Sequence, residues 1–201
     1  MTNTRILLFA VLTLYSSVLL FIEAKTSQDF VRNFFTDIEG PIPFYAINTS
    51  LSVFLFWATA VVFAVCLLCI DTTKMKREKL FYISQIFMFF WLGFDDRFMV
   101  HEYLSQWTRE SYIMLGLGIV EAYFLIALGQ LRQQPRSVLF YLIAGAFWTG
   151  SMTLADHLFP SKMLFRLSIE DLSKSWGAFC LFFFGWEILR YRIQALKIQQ
   201  L

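Results

Sequence analysis

Apolar stretches about as long as a bilayer is thick recur along this 201-residue chain, and their recurrence limits the fold more than any other feature. A helix needs about 20 predominantly apolar residues to cross a ~30 Å hydrocarbon core. Lipid cannot satisfy backbone N–H and C=O groups, so each such stretch must be helical. The runs are continuously apolar and lack the alternation of a membrane β-barrel. The sequence therefore predicts an all-α, polytopic membrane helical bundle of about six transmembrane helices. They are expected over residues 6–22, 51–70, 80–100, 112–131, 138–159 and 168–189. With 24 Phe, 6 Trp and a mean hydropathy of +0.58, the chain does not read as a soluble domain.

The first run follows Arg5 and is longer than the ~7–15 residues of a signal-peptide core. No small-x-small cleavage pattern follows it, so it reads as a retained signal anchor. Between Glu23 and Ile47 the chain is polar, with Phe30, Val31, Phe34, Phe35 and Ile38 at helical spacing. That pattern predicts a surface amphipathic helix over residues 28–39. Gly40-Pro41 and Pro43 break it. Asn48-Thr49-Ser50 fits a glycosylation acceptor, but it lies at the mouth of a span, too close to the bilayer to be modified. No repeat, linker or low-complexity tract interrupts the rest, so residues 1–201 read as one integral membrane domain. Cys66, Cys69 and Cys180 sit inside apolar runs and read as small hydrophobes rather than as a disulfide framework.

Lys and Arg set the orientation. The short loops holding Lys74, Lys76, Arg77 and Lys79, and Arg132 and Arg136, are basic, as is the tail with Arg190, Arg192 and Lys197. Both termini are therefore expected on the cytoplasmic side. Most of the acids then fall on the opposite, periplasmic side. The formal charge of +2 and the absence of a groove-reading motif give no nucleic-acid partner.

Asp95-Asp96-Arg97-Phe98-Met99-Val100-His101-Glu102 closes the third run. A chain only 16% charged rarely concentrates acid and imidazole groups in so few residues. Asp95 lies 16 residues past Lys79, about 24 Å of helix. Asp156 lies 20 residues past Arg136 and Glu170 lies 20 before Arg190, each about 30 Å. All three clusters thus reach one membrane face. Asp95 and Glu102, seven apart, share a helix face. Glu170 and Lys174 can pair at i and i+4, and an Asp95–Lys174 pair across helices is expected from their depths.

A metal site is one reading. His101, His157, Asp95, Asp156 and Glu170 would be the ligands, and mixed N/O donors suit zinc or another divalent transition metal. Metal-bound water would be the nucleophile, with Asp96, Glu102 and Lys174 in catalytic roles. The ordinary reading is that charges gather at helix ends, with Glu170 and Asp171 favouring the N-terminal dipole of the last helix. Glu121 is a second anomaly, near the middle of the fourth run. A lone acid there costs roughly 2.5–3.5 kcal/mol on insertion scales. It is expected to be protonated against another helix, or to belong to a proton or cation path. Glu187 reads as an ion pair with Arg190.

At Trp91-Leu92-Gly93-Phe94-Asp95-Asp96 through His101-Glu102, and again at Ile169-Glu170-Asp171-Leu172 with Gly177, the chain resembles a group of bacterial multi-spanning membrane proteins of uncharacterised activity. Their pattern is a span ending in Asp-Asp/Glu, then His-Glu, and later an acidic pair opening the last span. The resemblance implies a bacterial inner membrane. A looser likeness is to membrane hydrolases of the ceramidase and receptor-like type, which place His and Asp ligands of a zinc at one membrane face. This chain has two His where those have three, six runs where they have seven spans, and no clear serine partner. The functional expectation is a metal-dependent hydrolase acting on a lipid or lipid-linked substrate. The rivals are an accessory subunit with a membrane-protein partner, a proton or cation pathway through Glu121, and haem held by the two His.

Overall fold

A computed structural model describes residues 2–35, 46–70, 75–108, 110–160 and 163–199. The described residues are helical and contain no strand. They form α1 (Thr2–Lys25), α2 (Gln28–Phe35), α3 (Ile47–Leu68), α4 (Lys76–Phe98), α5 (Val100–Leu104), α6 (Glu110–Leu128), a 3-10 turn (Leu131–Gln133), α7 (Arg136–Leu158) and α8 (Arg166–Gln199). Six of these are long, and they run alternately up and down the bundle. Side-chain pairs fix this alternation: Glu23 near the end of α1 meets Ser168 near the start of α8, and Arg5 meets Glu187 at the other end.

Three helices are long and apolar enough to cross a membrane: Asn3–Lys25, Ile47–Leu68 and Arg136–Ala155. That is consistent with an integral membrane protein and is fewer than the six expected. Tyr112–Leu128 is apolar but shorter. The reason the last helix falls short is visible in its sequence. Only Ser175 to Trp186 separates Lys174 from Glu187 in α8. Twelve residues rise about 18 Å, well under a bilayer core. α8 is also the most enclosed helix, packed along α7 and α3 and touched by α1 and α2. Lys174 and Glu187 of α8 are accordingly paired with Asp96 of α4 and Arg5 of α1.

The core is aromatic. Phe63 of α3 is fully buried and stacks on Phe89 of α4 at 5.8 Å, with Phe184 of α8 at 5.7 Å. Phe9 of α1 meets Phe179 and Phe183 of α8 at 4.9 and 5.9 Å, and Tyr141 of α7 closes on Phe183 at 5.3 Å. A smaller cluster of Leu19, Val31, Phe35 and Leu172 seats α2 against α1 and α8. α2 is the amphipathic helix expected over 28–39, and its buried face is Val31 and Phe35. Residues 36–39 lie outside the described residues. α7 and α8 approach closely where Gly145 faces Leu181 and Gly177 faces Thr149.

Several boundaries differ from expectation for local reasons. α6 stops at Leu128 rather than 131, because Gly129 and the left-handed Gln130 (φ 47°) end it. α7 stops at Leu158: Phe159 is extended, as the residue before Pro160 must tend to be. α8 continues helical to Gln199, well past the expected end at 189.

Candidate functional site

At the end of the bundle that carries Asp95, termini of α1, α3, α4, α5 and α8 come together. α4 arrives with Asp95 and Asp96 in its last turn and breaks at Met99, a left-handed residue with φ 51°. α5 starts at once. Its first turn is bound by Asp95, whose Oδ1 accepts the main-chain N–H of His101 at 2.8 Å. Asp95 Oδ2 lies 2.8 Å from His101 Nδ1. Asp95 thus caps a helix and orients an imidazole with one carboxylate. Both side chains are buried.

Asp96 turns the other way, into the bundle. Its Oδ1 accepts from Lys174 Nζ of α8 at 2.7 Å, and its Oδ2 accepts from Ser52 Oγ of α3. Asp171 lies 3.6 Å from the same ammonium. The expected Asp95–Lys174 pair is therefore Asp96–Lys174. The residues are one apart, 100° on a helix, and depth arithmetic cannot separate neighbours. Lys174 also pairs within its helix with Asp171 rather than Glu170. Glu170 instead meets Arg166, 3.2 Å away at i−4.

Two further buried polar residues complete this end. Asn48 donates from Nδ2 to the Asp171 carbonyl at 2.9 Å and accepts at Oδ1 from Ser175 Oγ at 2.7 Å. It is fully buried, so the glycosylation triplet is closed by packing rather than by the bilayer. Glu23 accepts the Phe165 N–H at 2.8 Å and the Ser168 hydroxyl, capping α8 from across the bundle. Phe165 is left-handed, with φ 66°. Sequence reading counted Glu23 only as an outer acid. Its signal was present: an acid in the last turn of α1 opposes that helix's own dipole and so calls for a partner elsewhere.

Among the described residues no three His, Cys, Asp or Glu side chains converge as a metal would require. The carboxylates of Asp95, Asp96 and Glu170 are each engaged as above. The side chains of Glu102, Asp156 and His157 lie outside the described residues, so the His101–His157 combination is not described. Glu121 stands apart on α6, facing Gln85 of α4.

The opposite end has its own network. Glu187 is fully buried, is bridged by Arg5 and Arg190 (Nη2 2.7 Å), and accepts Ser137 Oγ at 2.9 Å. The expected Glu187–Arg190 pair is present, with Arg5 of α1 as an added partner. Arg192 meets Glu78 and donates to Tyr82 Oη at 2.7 Å.

No curated protein and no solved structure matches this chain. The matching sequence family is a domain of unknown function, DUF8692, over residues 5–188, and the chain belongs to that family.

Proposed function

We propose that this is a bacterial inner-membrane protein that crosses the bilayer six times, and that its Asp95 end faces the periplasm as a site acting on a lipid or lipid-linked substrate. The alternation of six long helices supports six crossings. In this reading α8 crosses largely enclosed by other helices, while α4 packs on α3 and turns the apolar face of Ile83, Phe87 and Phe90 outward.

One observation carries the site: Asp95 grips both the main-chain N–H and the ring Nδ1 of His101. A carboxylate on one ring nitrogen fixes the tautomer and orientation of an imidazole, the arrangement in which it acts through the other nitrogen as base or metal ligand. The reaction class that fits is hydrolysis, with zinc or another divalent metal supplying the activated water. The described side chains do not form a ligand set. A metal would need His101 together with His157, Asp156 or Glu102, and Asp95 would orient His101 rather than bind.

A second reading is an accessory subunit, in which this end only locks helices together for a membrane-protein partner. The pairing of Asp96 with Lys174 and of Glu23 with Ser168, each across two helices, favours it. A continuous cation pathway is disfavoured, because along α4 the buried Phe89 ring, stacked on Phe56 of α3, lies between Gln85 and Asp96. Elemental analysis of the detergent-purified protein separates the readings. About one metal per chain, lost in both His101→Ala and His157→Ala proteins that still fold, supports the hydrolase. A folded wild-type protein without metal overturns it in favour of the accessory subunit.

A further inference from the structure

A separate polar pair lies at mid-depth, between α4 and α6. The two helices run antiparallel in a defined register. Arg77 Nη2 donates to the Ala127 carbonyl at 2.7 Å, the Phe81 ring packs at Gly129, and Gln85 then faces Glu121. Gln85 is fully buried. The Gln85 and Glu121 side chains interact with each other, yet neither heteroatom of the amide, nor the buried Glu121 Oε2, reaches full hydrogen-bond geometry with any described residue. Buried polar atoms are paired in the large majority of cases, so three such atoms facing one another call for something between them.

Gln85 Oε1 and an ionised Glu121 Oε2 are both acceptors, so these two atoms can be joined only if the carboxyl carries a proton. The described charged groups on the elements packed against α6 are remote. On α4 they are Lys76, Arg77, Glu78 and Lys79 at one end and Asp95, Asp96 and Arg97 at the other. His101 is on α5 and Arg136 opens α7. Lys79 is six residues from Gln85, about 9 Å along the helix, and Asp95 is ten residues away, about 15 Å. Among the described residues, no cation pairs with Glu121, and the α4 cations lie at the ends of that helix. A protonated carboxyl would donate to the Gln85 carbonyl oxygen and accept from the Gln85 N–H, closing a reciprocal pair after a small side-chain rotation. Glu121 as a whole residue is half-buried although its Oε2 is enclosed, and Gly118, one turn earlier on α6, carries no side chain and has open space beside it.

We propose that Glu121 and Gln85 form an exchangeable proton site inside the bilayer, distinct from the Asp95 end. The proton binds at a Glu121 oxygen and is shared with the Gln85 amide. Nothing else is transferred.

The test uses the full chain in lipid vesicles. A hydrophobic carbodiimide, which reacts with protonated carboxyls in the apolar phase, should modify Glu121 at neutral pH, and peptide mass spectrometry should find the adduct there. The adduct should be lost in Glu121→Gln, an isosteric change that keeps the helix contact. Infrared difference spectra between wild type and Glu121→Gln should show a protonated-carboxyl C=O band that moves down in D2O. The same band should move up in Gln85→Leu, where its amide partner is gone, and a purely steric role for Gln85 would not cause that. An ionised carboxylate band at Glu121, a carboxyl band unmoved by D2O in folded protein, or no adduct at Glu121 would each overturn the proposal.

Discussion

Lys174 Nζ lies 2.7 Å from Asp96 Oδ1, and this ion pair joins the start of α8 to the end of α4 across the bundle. Both side chains are largely buried. Removing one partner strands the other charge, which typically costs about 3–5 kcal/mol. Lys174→Met should therefore lower the thermal midpoint in detergent strongly. The double change Asp96→Leu with Lys174→Met should recover most of the loss, since two apolar side chains can replace a buried pair with little penalty. A double variant no more stable than Lys174→Met alone would show that the pair is not what joins these helices.

Asp95 does a local task that can be separated from its charge. Its two oxygens hold the first amide and the ring of His101, and so set the break at Met99. In Asp95→Ala the His101 amide loses its acceptor, worth about 1–3 kcal/mol when buried. Hydrogen exchange over residues 99–104 should accelerate while α3 and α8 stay protected. Asp95→Asn keeps a carbonyl oxygen for the amide and should exchange at a rate close to wild type. Equal protection in the Ala and wild-type proteins would remove Asp95 from this role.

Much of the architecture was legible in the sequence, because membrane-length apolar runs and helix-breaking residues are local signals. Six long helices follow the predicted runs, and α2 follows its apolar spacing. Partner choice was not legible. Asp95 and Asp96 are adjacent and chemically identical, yet one caps α5 and the other crosses to Lys174, because a single residue step turns the side chain through 100°. The expected sixth run ends at 189, before the basic tail with Arg190, Arg192 and Lys197, yet α8 stays helical to Gln199. Pairing of Arg192 with Glu78, and of Arg190 with Glu187, is what makes that end of the helix compatible with packing.

Glu23, at the end of α1, reaches across to the start of α8. It satisfies the Phe165 N–H and the Ser168 hydroxyl. Capping groups contribute about 0.5–2 kcal/mol. Glu23→Ala should cost in that range and loosen α1 from α8, read as faster proteolysis after residue 160. Glu23→Gln retains an acceptor oxygen and should fall between wild type and Ala. Identical proteolysis in all three proteins would show that α1 is held without this cap.

Gly177 and Gly150 give a paired test of the α7–α8 contact. A Cβ on Gly177 would meet Thr149 Cγ2 at 2.7 Å, whereas a Cβ on Gly150 meets nothing within 4 Å. Both sit within helices, where Ala is favoured over Gly by about 0.8–1.0 kcal/mol. Gly150→Ala should therefore be neutral or stabilising. Gly177→Ala gains the same propensity but forces Thr149 or the helix axis to shift, and overpacking of this kind typically costs about 1–3 kcal/mol. The net change is expected to be destabilising, and Gly177→Leu more so. The midpoints of thermal unfolding in detergent should rank Gly150→Ala at or above wild type, then Gly177→Ala, then Gly177→Leu. If Gly177→Ala matched Gly150→Ala, the approach of α7 to α8 at Thr149 would be looser than the backbone spacing implies. The Ser137–Glu187 hydrogen bond and the ring contacts of Tyr141 with Phe183 and of Trp148 with Trp176, rather than the glycine contact, would then be what sets the separation of the helices.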